Sequence, residues 1–256
     1  SRLGYLPEER GLYRKESVLD VMTYFGQLKG QTRDAASGWS REYLGRVGLA
    51  DHAKVRVDKL SGGQQQKVQL GVTIMNSPSI LILDEPTKGF DPVNRRLLMD
   101  LVDEQRQQGS TVVMVTHQMD EVERLCDRIL LLNNGKIEQQ GTPQEMYGSP
   151  KTLFTAEFMG SNNRLHGKIT AVMDGRARIE GASWALWGMA GGRVSVGEEA
   201  TAVIRVERLR LGATPQDNML ELPLLTSMYL GDRWEYLFRT RGDDFAIRAY
   251  GSSLRN

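Results

Sequence analysis

Ile80-Leu81-Ile82-Leu83-Asp84-Glu85-Pro86 is a short apolar run that ends in two acids and a proline. With Ser79 before it, the run reads as a strand buried in a parallel sheet, where continuous rather than alternating apolar residues are the rule. Such a strand delivers its last residues to the carboxyl edge of the sheet, where ligands bind in open α/β folds. Asp84 can therefore hold Mg²⁺, directly or through water, because that ion prefers oxygen ligands and keeps part of its water shell. Glu85 can polarise an attacking water as a general base. Two solvated acids at a strand end are the plainer alternative. It loses weight because Thr87-Lys88-Gly89-Phe90-Asp91 follows at once and adds a Gly/Asp turn at the same rim.

Downstream, Val112-Val113-Met114-Val115-Thr116-His117 repeats the pattern, a second buried strand now ending in a histidine. Adjacent parallel strands would place His117 near Glu85, where an imidazole can hydrogen-bond a γ-phosphate and orient the water. A lone histidine is more often a core or capping residue, but this one follows the acids at a matching strand end. Upstream stands Leu60-Ser61-Gly62-Gly63-Gln64. Two glycines let the backbone approach a ligand closely. The loop then opens a helix whose free N–H groups and positive dipole end face one point. With the Ser61 hydroxyl as a further donor, the segment suits a terminal phosphate. Read alone, an ordinary serine cap competes with that assignment.

The surrounding pattern alternates helix and strand over residues 1–141. Ser17 to Leu28 reads as a helix, with Ser17 and Asp20 spaced as in a capping box and Val18, Val21, Met22, Phe25 and Leu28 on one face. Further helices are expected over Asp34 to Val47, after Ser61 to Met75, from Asp91-Pro92 to Gly109, and over Asp120 to Cys126. Thr111 to Val115 and Arg128 to Leu132 read as strands, and Asn134-Gly135 as a tight hairpin. This order specifies an α/β domain, a mostly parallel sheet wrapped by helices, with a helical subdomain inserted at 16–75. A helical linker at 142–162 follows. After Gly160 short β-like runs recur: Leu165 to Met173, Ala177 to Ile179, Ala202 to Val206, Leu222 to Tyr229, Trp234 to Thr240 and Phe245 to Tyr250. They suggest a small all-β barrel or sandwich over 163–256.

Composition sets limits on function. Apolar residues make up 40% and charged residues 25%, enough for a sizeable core. The net charge of +1 gives no support for binding nucleic acid by bulk charge. Trp184, Trp187 and Trp234 read as core rather than as base-stacking platforms. One cysteine, Cys126, rules out an internal disulfide, fits a reducing compartment and reads as a small buried residue. His52, His117 and His166 are scattered, and no Cys/His cluster has zinc spacing. No apolar run approaches the length of a membrane span.

Together these motifs resemble the ATPase subunits of ABC transporters, over about the first 140 residues of the sequence. Leu60 to Gln64 is similar to the family signature, Ile80 to Asp84 to the Walker B strand and Glu85 to the catalytic glutamate. Gly89-Phe90-Asp91 resembles the D-loop, with Phe90 where Leu is usual, and His117 the switch histidine. Gly4-Tyr5-Leu6-Pro7-Glu8 looks like the Q-loop, with Glu8 in place of the usual Gln. A carboxylate there can still approach Mg²⁺ or its water. The resemblance thus implies ATP and Mg²⁺ as ligands. Glu85 and His117 would be catalytic; Ser61, Gly62, Gly63, Gln64 and Asp91 would bind nucleotide; Asp84 and Glu8 would face the metal. It also implies transmembrane permease subunits, a second ATPase subunit, identical or not, and in importers a solute-binding protein. The place of action would be the cytoplasmic face of the cell membrane, as a peripheral subunit.

Such ATPases need a Gly-x-x-x-x-Gly-Lys-Ser/Thr loop to cradle the β- and γ-phosphates. None occurs here: Gly135-Lys136 precedes Ile137 and Gly167-Lys168 precedes Ile169. In the family this loop lies upstream of the Q-loop, so the chain is expected to be a truncated P-loop NTPase-type domain that holds ATP poorly by itself. A non-catalytic scaffold and a non-transport ABC ATPase are the alternatives. The later part, through Phe154 to Asn163, Val203 to Leu209 and Tyr229 to Arg233, resembles the TOBE-type, OB-like β-domains of importer ATPases. Gly11-Leu12-Tyr13 and Thr116 to Val122 look more like exporter ATPases.

Overall fold

The computed structural model describes residues 2–9, 11–212, 218–240 and 246–251. Phe245, the expected start of the last strand, lies outside them. The chain divides into two compact units, Ser1–Cys126 and Asp127–Asn256. The division falls upstream of residue 141, so the Asn134-Gly135 hairpin belongs with the second unit.

In the first unit, β1 (Leu3–Leu6), β2 (Ile80–Asp84) and β3 (Thr111–Val115) form a parallel sheet in the order β1-β2-β3. Leu6 pairs with Leu83 and Asp84 with Val115, so the acids end the central strand. Between β1 and β2 lie α1 (Val18–Leu28), α2 (Arg33–Arg46) and α3 (Gly62–Ile74). Two further helices, α4 (Pro92–Gln107) and α5 (Met119–Leu125), flank β3 in sequence. The core gathers Leu6, Met22, Leu44, Leu70, Leu81, Leu83 and Leu98, all essentially excluded from water. Each such side chain contributes about 1.5–3 kcal/mol by leaving water.

In the packing of the first unit, sequence reading and structure part in three places. The strands are not buried on both faces: Leu3, Tyr5, Ile80, Val113 and Val115 are exposed, while Leu81 and Leu83 are buried. The helices that touch the strands, α3 on β1 and α4 on β3, leave that other side open among the described residues. Leu28 is exposed rather than on the packed face of α1. There α1 meets α2 through Gly26, whose absent Cβ would lie 2.5 Å from that of Ala36. Cys126 is half buried, not enclosed.

The caps follow the sequence. Ser17 accepts from the Asp20 N–H, Asp91 caps α4 ahead of Pro92, and Ser61 and Gln64 form a reciprocal capping box on α3. Helix α2 starts one residue earlier than expected, capped by Thr32.

The second unit opens with the hairpin β4 (Ile129–Asn133) and β5 (Lys136–Gly141), turned by Asn134 and Gly135 at positive φ. Both φ values suit a type I′ turn. Short helices α6 (Pro143–Gly148) and α7 (Leu153–Phe158) follow. Then come β6 (Asn162–Met173), β7 (Arg176–Glu180), β8 (Ala185–Met189) and β9 (Glu199–Arg205), antiparallel in the order β8-β7-β6-β9. A second antiparallel sheet holds β10 (Leu224–Tyr229), β11 (Trp234–Arg239) and β12 (Ala246–Gly251). Strand β8 has no counterpart in the sequence reading. Leu165, Ile179, Trp184 and Leu186 from the first sheet pack with Ile247 and Phe238 from the second. The Asn163 side-chain amide bonds Arg248 through both its N–H and its C=O, at 2.7 Å each, joining β6 to β12 as a strand would. Trp184 is core, as expected, whereas Trp187 and Trp234 are half buried. Trp187 has the Arg176 guanidinium over its ring.

Candidate functional site

The signature segment becomes the start of α3. Its capping box uses the Ser61 N–H, which donates to Gln64 Oε1 (2.8 Å), and the Gln64 N–H, which donates to Ser61 Oγ (3.3 Å). Two of the helix-start N–H groups, those of Gly62 and Gly63, are left over. They line a cleft of about 380 Å³ with Ser61, Gln64, Lys67, Gly89, Phe90, Asp91 and Asn94. The Ser61 hydroxyl proton is also free of the box. The Gln64 side chain is not: its Nε2 lies 3.2 Å from His52 Nε2. Gly63 is needed for packing as well, since a Cβ there would come within 3.0 Å of the Phe90 ring. Asp91 accepts from the N–H groups of Val93 and Asn94, at 3.0 Å each, and from the Asn94 side-chain amide. The Asn94 donors hold its carboxyl below the usual carboxylate range. Burial pulls Lys67 down, while Asp91 opposes that.

Glu85 lies one residue past β2 in the left-handed region, at φ 46°. A non-glycine residue there is strained, and such strain gathers at functional sites. Two backbone bonds hold it: its N–H donates to Val115 O (2.9 Å) and its C=O accepts from Lys88 N (3.1 Å). The half-buried carboxylate meets His117, whose Nδ1 stands 2.8 Å from Glu85 Oε1. The Gln118 amide lies 2.9 Å from His117 Nε2. With the Gln118 amide donating to Nε2, a proton on Nδ1 would face the Glu85 carboxylate. Gln118 was not singled out from sequence; nothing in its spacing marks it.

Asp84 is half buried at the strand end and has no partner among the described residues. Glu8 is bound by Lys88, and that ion pair holds Glu8 below and Lys88 above their usual ranges. Both border a second cleft with Glu9, Gln66 and Gly89. Buried glutamines of α3 tie these loops to the signature helix: Gln66 donates to Pro86 O (3.3 Å), Gln69 to Glu9 O (3.2 Å). Apart from Asp84, the sequence-predicted residues therefore fall into three groups. Ser61, Gly62, Gly63, Gln64 and Asp91 share one cleft. Glu85 and His117 form a pair. Glu8 sits with Lys88, and neither Glu85 nor His117 lines the signature cleft.

The donor sets suit the ligands the resemblance implies. Two unengaged helix-start N–H groups and a hydroxyl fit a phosphate. No group of three or more His, Cys, Asp or Glu is arranged for a metal among the described residues. A single open carboxylate such as Asp84 is what Mg²⁺ takes when phosphate and water complete its shell.

A rim of this kind, with acids and a histidine at adjacent strand ends and a glycine-led helix start, defines an α/β nucleotide-binding protein. The profile of the ABC transporter family matches residues 1–88. An uncharacterized ABC transporter ATP-binding protein of Methanocaldococcus jannaschii is 42% identical over 145 residues, 57% of this chain and 55% of the relative. A spermidine/putrescine import ATP-binding protein of Fusobacterium nucleatum is 34% identical over 80% of this chain and 55% of its own length. One of the same name from Acetivibrio thermocellus is 33% identical over 241 residues, 94% of this chain and 67% of the relative. The chain belongs to the ABC transporter ATP-binding family. It spans about half the length of several of these relatives. Among the described residues no helix is long and apolar enough to cross a membrane.

Proposed function

We propose that this chain carries the hydrolytic acid–imidazole pair and the signature of an ABC transporter ATP-binding subunit, which turns ATP into ADP and phosphate to drive a solute across a membrane. The carrying observation is the Glu85–His117 contact at the rim of a parallel sheet. Glu85 takes up the proton of the attacking water. His117 holds the Glu85 carboxylate in place and, once Gln118 turns aside, presents its ring to the terminal phosphate. When bound, Mg²⁺ would neutralise phosphate charge, with Asp84 as its protein ligand and Glu8 reaching a metal-bound water if Lys88 releases it. The Gly62 and Gly63 N–H groups and Ser61 serve a phosphate as well. Because their cleft excludes Glu85 and His117, they serve the nucleotide of a second ATPase subunit. That subunit, identical or not, supplies the phosphate-cradling loop that residues 1–256 lack. The chain works peripherally, at the cytoplasmic side, on permease subunits. A solute-binding protein joins if the system is an importer.

The test is phosphate release by the full-length protein assembled with its permease. Glu85→Gln is expected to lower turnover by about 10²–10⁴-fold while ATP still binds. Turnover unchanged by that substitution would refute the reading. A second reading, that the solute is a polyamine, is favoured by one observation: the relatives matched over most of the chain are named for spermidine/putrescine import. Labelled spermidine uptake in cells with and without the protein decides it.

A further inference from the structure

Glu121 is almost fully enclosed, at 2% exposure, and the chemistry above does not use it. One carboxylate oxygen accepts from the Thr87 hydroxyl and the other from the Thr116 hydroxyl (3.0 Å). Arg95 Nε stands 4.0 Å away, too far for a hydrogen bond. A buried carboxylate whose one cation stands at 4.0 Å without a hydrogen bond is costly, and an apolar residue of similar size often stabilises a fold more. What this acid gains is geometry. Thr87 follows Glu85 by two residues, and Thr116 immediately precedes His117. The Thr116 hydroxyl also accepts from the Gln118 N–H (3.0 Å). A closed ring results, running Glu85, Pro86, Thr87, Glu121, Thr116, His117 and back to Glu85 through the 2.8 Å contact. Glu121 sits in the first turn of α5, whose dipole end favours a negative charge.

We propose that Glu121 is a positioning residue: it clamps the turn after Glu85 to the residue before His117 and so keeps the acid and the imidazole in contact. The proposal rests on the reading that this pair serves hydrolysis. In the full-length protein with its permease, Glu121→Ala should lower kcat by up to roughly 10²-fold, the scale of a misplaced reacting group, with little change in KM for ATP. Glu121→Gln, whose amide still reaches both hydroxyls, should recover part of the loss. In a His117→Ala background the same substitution should add little, because both act on one contact. A folded Glu121→Ala protein with unchanged kcat would overturn the clamp. So would a loss that multiplies in full with that of His117→Ala. Absence of Glu85-dependent turnover in the unmodified protein would sink the functional reading instead. The clamp is then judged on this chain alone, from the ¹⁵N signals of the His117 ring. They should move in Glu121→Ala in the direction produced by Glu85→Gln, and unmoved signals refute it.

Discussion

Glu121 in the first unit and Arg205 in the second are both nearly enclosed charges, yet they are satisfied in different ways. The acid takes two side-chain hydroxyls that flank the Glu85–His117 pair. The guanidinium donates to the backbone instead, to Ala156 O (2.7 Å) and Tyr147 O (3.1 Å), near the ends of α7 and α6. It lies 4.3 Å from the centre of the Tyr147 ring. Arg205 thus does for two short helices what a C-cap does, supplying a donor to Tyr147 O and sharing Ala156 O with the Asn162 side-chain amide. Burial pulls its pKa down, as expected for a cation without a close anion. The difference teaches that a buried charge is read by its partners. Partners on backbone ends mean architecture, and partners on loops that carry reactive groups mean positioning.

The comparison can be broken by measuring stability and chemistry separately. The largest expected effect is apolar. Leu83→Ala, in the core behind the acids, should cost about 2–5 kcal/mol in denaturant unfolding, because a cavity is left under β2. A smaller cost would mean that polar clamps, not the core, hold the first unit. Next, Arg205→Met keeps the apolar stem but removes both donors, leaving Tyr147 O without one and Ala156 O with the Asn162 amide alone. A loss of about 2 kcal/mol is expected, with turnover of the full-length protein unchanged. If turnover fell in step with stability, the division between architectural and positioning charges would collapse. Ser61→Ala should cost about 1 kcal/mol through the lost cap on α3 and also weaken phosphate binding.

The last effect concerns a third, half-buried charge. Lys29 Nζ donates to the carbonyls of Val72 (2.5 Å), Thr73 (2.9 Å) and Met75 (3.4 Å) at the end of α3. Burial lowers its pKa from 10.5 to about 8. Between those values the unfolded chain binds more protons than the folded one, so stability rises with pH there. Lys29→Met removes that titration. The melting temperature of the unaltered chain should therefore gain on the variant from about pH 8 towards pH 10.5. A constant difference would mean that the amine keeps an ordinary affinity for its proton.

Much of this was legible in the residues. Local rules set the caps at Ser17, Ser61 and Asp91, the Asn134-Gly135 turn and the parallel strands ending in Asp84 and Val115, because caps, turns and apolar runs depend on neighbours in sequence. The meeting of His117 with Glu85 was predictable too, since adjacent parallel strands carry their ends to one rim. Other features had no local signal. Strand β8 is broken up by Gly188 and flanked by polar turns. The open face of the sheet follows from where α3 and α4 pack, which no strand pattern encodes. The left-handed backbone at Glu85 is fixed by bonds to Val115 and Lys88, and the closure of the Glu85–Thr87–Glu121–Thr116–His117 ring needs residues thirty or more positions apart to meet. Sequence alone pointed to the family and to the residues proposed to carry its chemistry, because motifs are contiguous. Only the tertiary structure decided that Glu85 stands outside the cleft of Ser61 and that a buried acid joins the loops around Glu85 and His117, because such contacts exist only once distant strands and helices share a core.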